Sequence, residues 1–282
     1  MIDFFLVGAQ KAGTTSIYRL LSQNPAIFVP RVKEPNFYAD VGPQKRNGVN
    51  VKDFNKYQNL YKKAKGGTLK GDFSVSYMHD PAAPYKIHQD NPDAKIIMIL
   101  RNPIQRAFSH WLMDVREGFT KMDFIEAFEK DYNFEGKRGY FYTPMYFDCS
   151  CYYDPIVAFK KYFGDNVLIL IYEDLFKDLA TGVQQIDLFL NIPDIAYNFT
   201  KENESGVVKN ELIKKLYQNT FIRSLSRIVF PEKSKQLIKG RIIKKVDIRL
   251  SSEDYQYLTR YFEADVKKVR ELLGRNSLWS DI

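Results

Sequence analysis

Short unbroken apolar runs alternate along this chain with longer stretches in which apolar residues recur every three or four positions. The runs fall at 4–7, 96–100 and 167–172. Each is too short for a helix and too uniformly apolar for a sheet with one wet face. Each therefore predicts a strand buried on both sides. The sequence predicts strands over 3–7, 69–73, 95–100 and 167–172. Helical spacing predicts helices over 14–22, 81–90, 103–117, 123–131, 152–163 and 180–190. Residues 45–65 are polar and aromatic, with helical spacing in their second half. A last helix opens at the Ser251-Ser252-Glu253-Asp254 cap and carries Tyr257, Leu258, Phe262, Val266, Val269 and Leu273. Pro103 suits the first position of its helix, and Gly66-Gly67 and Asn91-Pro92-Asp93 mark turns. Buried strands separated by helices predict an α/β fold: one domain over 1–282, with a central, mostly parallel sheet flanked by helices on both faces.

Composition narrows the class of protein. With 282 residues, 45% hydrophobic and 27% charged, the chain reads as an ordinary globular domain. No apolar run approaches the ~20 residues of a membrane span. No leader precedes the first strand, and Cys149 and Cys151 read as reduced thiols, so a cytoplasmic protein without membrane contact is expected. No second Cys/His cluster joins those cysteines, and no metal site is expected. The formal charge of +8 is concentrated late: 209–249 holds twelve Lys or Arg against three acids. That stretch reads as a solvated basic face or as a surface for an anionic ligand. No nucleic-acid-binding motif accompanies it, and nucleic acid is not an expected partner.

The chemistry begins where the first strand ends. In F-F-L-V-G-A-Q-K-A-G-T-T-S the strand runs into Gly8, and Gly13 leads Thr14, Thr15 and Ser16 into a helix. A strand, tight loop and helix N-terminus present backbone N–H groups and a helix dipole to one point, which suits a phosphate. The glycines have P-loop spacing, but Lys11 stands two residues before the second glycine, whereas an NTPase loop has its lysine directly after it. A second candidate anion site follows the strand at 95–100. There Arg101 lies at the strand end, and Ser109 lies about two helical turns along, able to converge with it on one anion. Lys11, Arg101 and Glu173 all sit just past strand C-termini, where open α/β sheets bind ligands.

Q-K-A-G-T-T-S together with R-N-P-I-Q-R-A-F-S resembles the sulfotransferases that use 3′-phosphoadenosine 5′-phosphosulfate (PAPS). The resemblance implies a P-loop-like domain. It makes Lys11, Ala12, Gly13, Thr14, Thr15 and Ser16 the 5′-phosphosulfate loop, and Arg101 and Ser109 the ligands of the 3′-phosphate. It places Lys11 at the bridging oxygen, where its charge stabilises the leaving phosphate. Arg31–Tyr38, R-V-K-E-P-N-F-Y, is similar to the K-E-P segment of the glycan sulfotransferases, which makes Glu34 the catalytic base. Read from its neighbours alone, Glu34 has an alternative role as a loop salt-bridge partner of Lys33 or Arg31. His79 is the other candidate base, because small-molecule members take a histidine from this strand region. G-D-F-S-V-S-Y resembles the family's E-K-x-P-x-Y strand, with Asp72 at the acid position and Phe73 where glycan-modifying members carry lysine. Tyr152 matches a tyrosine that contacts the nucleotide, and Lys239-Gly240-Arg241 repeats the K-G-R of a cofactor-capping loop. Residues 202–250 then form a variable basic insertion on the cofactor and acceptor side.

The resemblance implies sulfonyl transfer from PAPS, leaving 3′-phosphoadenosine 5′-phosphate (PAP), without a metal. The expected partner is a small-molecule hydroxyl or amine. An oligosaccharide acceptor and a P-loop kinase or NTPase are the alternatives.

Overall fold

The computed structural model describes residues 1–42, 50–199 and 249–282, together with the backbone of two short strands at 207–208 and 243–244. β1 (Phe4–Gly8), β2 (Ile27–Phe28), β3 (Leu69–Asp72), β4 (Lys95–Leu100) and β5 (Val167–Ile171) form one sheet in the order β2-β3-β1-β4-β5. All four pairings are parallel. Phe4, Phe5, Leu6 and Val7 have no exposed surface, nor have Ile96 to Leu100. Successive strand residues face opposite sides, so both faces of the central strands are covered.

The helices are α1 (Thr14–Leu21), α2 (Phe54–Asn59), α3 (Ala83–Asp90), α4 (Pro103–Glu117), α5 (Phe124–Tyr132), α6 (Tyr153–Phe163), α7 (Tyr172–Lys177), α8 (Leu179–Leu190) and α9 (Ser252–Leu273). The caps are those the sequence offers. Asn102 Oδ1 accepts from Gln105 N–H at α4 with Pro103 at its first position, and Ser251 Oγ accepts from Asp254 N–H at α9. α9 buries Leu258, Phe262, Val266 and Val269, one stripe at helical spacing, against α4 and α6.

Most predicted elements shift by two residues or fewer, and 95–100 and 103–117 keep their bounds. The two-residue edge strand β2 has no legible period, and helix in 45–65 shrinks to α2, capped by Asp53. The backbone of β6 (Val207–Val208) and β7 (Ile243–Lys244) makes a separate antiparallel pair inside the segment read as an insertion.

Because the sheet is parallel, β1, β3, β4 and β5 deliver their C-terminal residues to one edge. A cavity of about 380 Å³ opens at the other end, beside Ile2, Tyr38, Tyr57, Tyr61, Lys70 and Asn91. None of the candidate residues lines it. The cavity carries Lys62 and Lys70, whereas the loop after β1 and the turn after β4 lie at the C-terminal edge.

Candidate active site

The loop after β1 is tied to its neighbour strand, Ala9 N–H donating to Ile99 O at 2.8 Å. Lys11 (φ 72°) and Gly13 (φ 76°) both take left-handed backbone, which turns the chain back into α1. Gly13 is the N-cap, and no side chain caps the helix. A helix leaves its first amides without intrahelical acceptors, so this end presents N–H groups and a positive dipole. Ala12 and Thr14 are buried, Ser16 is half-buried and Thr15 is exposed. Gly13 is also a close approach: a Cβ there would lie 2.4 Å from the Phe176 ring.

The turn after β4 meets this loop. Arg101 Nη1 donates to Lys11 O at 2.9 Å, and its guanidinium lies over the Tyr172 ring at 4.6 Å. The turn is held from behind. Tyr152 OH donates to Arg101 O at 2.8 Å, and Asn102 N–H donates to Glu173 Oε1 at 2.9 Å. Glu173 Oε2 in turn accepts from Trp279 Nε1 at 3.1 Å. Lys11 Nζ lies 3.6 Å from Met113 Sδ on α4. Ser109 precedes Met113 by one helical step of i,i+4, so it shares that face of α4. Lys11 and Arg101 thus meet at the ends of β1 and β4, with Ser109 on the α4 face that carries Met113.

Glu34 lies in the segment after β2, half-buried and ion-paired with Lys33. Asn36 Nδ2 donates to Glu34 O at 2.8 Å, and Asn36 N–H donates to Ser74 Oγ at 3.1 Å. That pins the Glu34 segment to the C-terminal end of β3, next to β1. The pairing of Glu34 with Lys33 is the one its sequence neighbours suggest.

Residues 1–272 match the sulfotransferase domain family. The chain belongs to that family. It is 34% identical over 215 residues to the mouse bifunctional heparan sulfate N-deacetylase/N-sulfotransferase 4, covering 70% of this chain and 23% of that protein. Human sulfotransferase 6B1 is 28% identical over 191 residues, 67% of this chain and 54% of its own length. The aligned parts thus span about a quarter and about half of these relatives. A sulfotransferase of known structure from Alicyclobacillus acidocaldarius superposes with a TM-score of 0.74 at 23% identity, over 98% of this chain and 97% of its own. At that identity the likeness establishes the sulfotransferase fold.

Within this sulfotransferase fold the remaining sequence candidates occupy distinct places. His79 is half-buried, and its Nε2 lies 3.2 Å from Cys151 O. A carbonyl only accepts, so Nε2 carries the proton and Nδ1 is the basic atom. Burial, with the Arg106 guanidinium adding to it, lowers the His79 pKa to about 4, so the ring is neutral at pH 7 and a weak base. Tyr152 has no exposed surface, and its hydroxyl is engaged with the Arg101 backbone. Lys239, Gly240 and Arg241 lie outside the described residues. Cys149 and Cys151 are free thiols, and burial pushes Cys149 up to about 12.

Three supporting residues have roles that their sequence positions do not show, although Arg106 and Asp72 stand within quoted motifs. Arg106, fully buried on α4, donates to Ser150 Oγ at 2.6 Å and to Tyr146 O at 2.7 Å, fixing the turn and short 3-10 helix (Asp148–Ser150) that lead to Tyr152. Asp265 of α9 accepts from Tyr152 N–H at 2.8 Å and Tyr153 N–H at 3.1 Å, capping α6. Asp72 accepts from three hydroxyls in the core. Each contact spans distant segments, so no local motif announces it. Among the described residues no helix is long and apolar enough to cross a membrane, and no group of three or more His, Cys, Asp or Glu is placed to hold a metal.

Proposed function

We propose that this sulfotransferase-family chain moves the sulfonyl group of PAPS to a hydroxyl or amine of a small-molecule acceptor by in-line attack. The observation that carries the reading is the meeting of the two phosphate motifs at the β1 and β4 ends, with Arg101 bonded to the Lys11 backbone. The residues present fit a nucleotide bearing phosphates at both ends. An N-terminus without a side-chain cap offers amides to one, and Arg101 with Ser109 offers a planar cation and a hydroxyl to the other. When bound, PAPS supplies an activated sulfonyl group on a bisphosphate leaving group.

The chain's residues have separable tasks in this reading. Lys11, Ala12, Gly13, Thr14, Thr15 and Ser16 enclose the 5′ end, with the Lys11 ammonium countering charge that develops on the leaving oxygen. Arg101 and Ser109 hold the 3′ end and Tyr152 fixes the Arg101 turn. Glu34 takes the acceptor's proton, the Lys33 contact giving way as it does so. His79 is the second candidate base, a ring neutral at pH 7 whose Nε2–H is engaged with Cys151 O, leaving Nδ1 to accept a proton. The cationic side chains and amides meet the charge, so no metal is assigned. Residues 1–282 act as one domain in this reading.

A small acceptor is favoured by Phe73. It is buried and packs edge-on against Phe4 at 5.7 Å and Tyr18 at 5.2 Å, so the position that carries lysine in glycan-modifying members is core here. An oligosaccharide acceptor is the second reading, favoured by the likeness to the mouse heparan sulfate enzyme. The test is PAP formation from PAPS in EDTA across phenols, amines and sulfated or unsulfated oligosaccharides. Turnover with a phenol or amine supports the proposal. Turnover confined to oligosaccharides selects the second reading.

A further inference from the structure

Glu34 is held by a buried polar chain that starts in the core of the sheet. Glu34 (φ 61°) and Asn36 (φ 55°) flank Pro35, both in left-handed backbone, which asparagine tolerates and glutamate rarely adopts. Asn36 is buried and bonded along its length. Its Nδ2 donates to Glu34 O, its Oδ1 accepts from Ser76 Oγ at 2.6 Å, and its N–H donates to Ser74 Oγ. Ser74 Oγ then donates to Asp72 Oδ1 at 2.6 Å. Tyr57 OH and Tyr77 OH donate to Asp72 Oδ2 at 2.7 Å and 2.9 Å. Asp72 lies opposite Phe5 in the β1–β3 register, on the strand that leads to Lys11.

We propose that Asp72 is a positioning residue for Glu34: its carboxylate fixes the direction of the Ser74 hydroxyl, which with Ser76 holds Asn36 and, through Asn36, the Glu34 backbone at the reacting edge of the sheet. The inference rests on Glu34 being the base. A hydroxyl has one proton. With Asp72 ionised, the Ser74 proton points at Asp72, which turns the hydroxyl's lone pairs toward Asn36 N–H. An ionised carboxylate accepts from all three hydroxyls at once. A protonated acid, or an amide in its place, must donate somewhere, and one of those three bonds then breaks or reverses.

The groups that face Asp72 come from every neighbouring segment. They are Tyr57 of α2 with Tyr61 just beyond it, Tyr77, Ser74, Tyr38 and the Glu34 carboxylate. Burial raises the Asp72 pKa to about 6, with Ser74, Tyr57 and Tyr77 pulling it back. The chain of bonds is therefore expected to loosen on acidification through that value.

The test compares wild type with Asp72→Asn and Ser74→Ala, the second keeping the carboxylate should the first fail to fold. The first readout is exchange of the Asn36 amide, followed by NMR at neutral pH, which requires no turnover. Exchange at least about tenfold faster in the variants is expected, as loss of one buried hydrogen bond implies. The Asn36 amide resonance should titrate near pH 6 in wild type and in Glu34→Gln, and not in Asp72→Asn. The second readout is breakdown of PAPS to PAP with water as acceptor, expected to slow by about tenfold while PAP affinity stays within about twofold. Unchanged Asn36 exchange in both variants would overturn the inference. So would a loss of PAP affinity equal to the loss of turnover, because Asp72 would then support the nucleotide site as a whole. Failure of wild type to bind PAP would strike the donor reading instead and leave the Asn36 exchange result standing.

Discussion

Lys11 combines a cationic side chain with a backbone conformation (φ 72°) that L-residues rarely adopt. The loop thereby turns toward Arg101, which bonds the Lys11 carbonyl rather than its side chain. The side chain is therefore removable without unpinning the loop. Lys11→Ala is expected to lower turnover by about 10²–10³-fold, as for loss of one preorganised charge stabiliser, with little change in melting temperature. A variant with near-normal turnover would remove Lys11 from the chemistry. His79 makes a prediction about stability. Its pKa falls from 6.5 to about 4 on folding, so the stability it contributes is fully present above 6.5 and is lost as pH falls toward 4. Asp72 acts with the opposite sign: its raised value means stability is lost as pH rises through about 6. The difference between wild type and His79→Gln isolates the histidine. Denaturant unfolding from pH 7 to pH 4 should show a shallower decline in the variant. Parallel declines would mean that His79 protonates as readily in the fold as in the unfolded chain.

At the level of elements, α1 begins where it does because Gly13 supplies a left-handed φ and leaves room for Phe176. Gly13→Ala meets both obstacles and is expected to cost about 1–3 kcal/mol, read as a lower urea midpoint at unchanged slope. An unchanged midpoint would show that α7, which carries Phe176, can give way. β1 and β4 are legible because their apolar runs are buried on both faces, whereas β5, equally apolar, is half-buried over residues 167–169 at the sheet edge. Pro103 and Asn102 made α4 equally legible, because cap and first-turn chemistry are local. β2 was not legible: two residues at the sheet edge show no period. The relay from Asp72 to Glu34 was not legible either. It joins positions 38 and 40 residues apart, and a serine that orders a distant loop looks like any other serine. Arg106 stands within R-N-P-I-Q-R-A-F-S yet has no exposed surface, because 145–150 pack around it.

Across the whole molecule, the parallel sheet separates two ends. Lys11, Arg101 and the segments carrying Glu34 and Glu173 collect at the C-terminal ends of the strands, while the 380 Å³ cavity lies at the other. The motifs were readable as sequence because phosphate recognition uses contiguous loop residues. The acceptor was not, because no contiguous motif specifies it. The nucleotide site is consequently the part of the molecule that a single binding experiment addresses most directly. That experiment is calorimetric titration of the whole chain with PAP in EDTA, beside ATP with Mg²⁺, for wild type and Arg101→Ala. Micromolar PAP binding to wild type is expected, weakened by about 10–100-fold in Arg101→Ala, in line with loss of charge-assisted hydrogen bonds to a phosphate. Absence of PAP binding together with clear binding of Mg-ATP would contradict the central claim and give the first loop to an NTP.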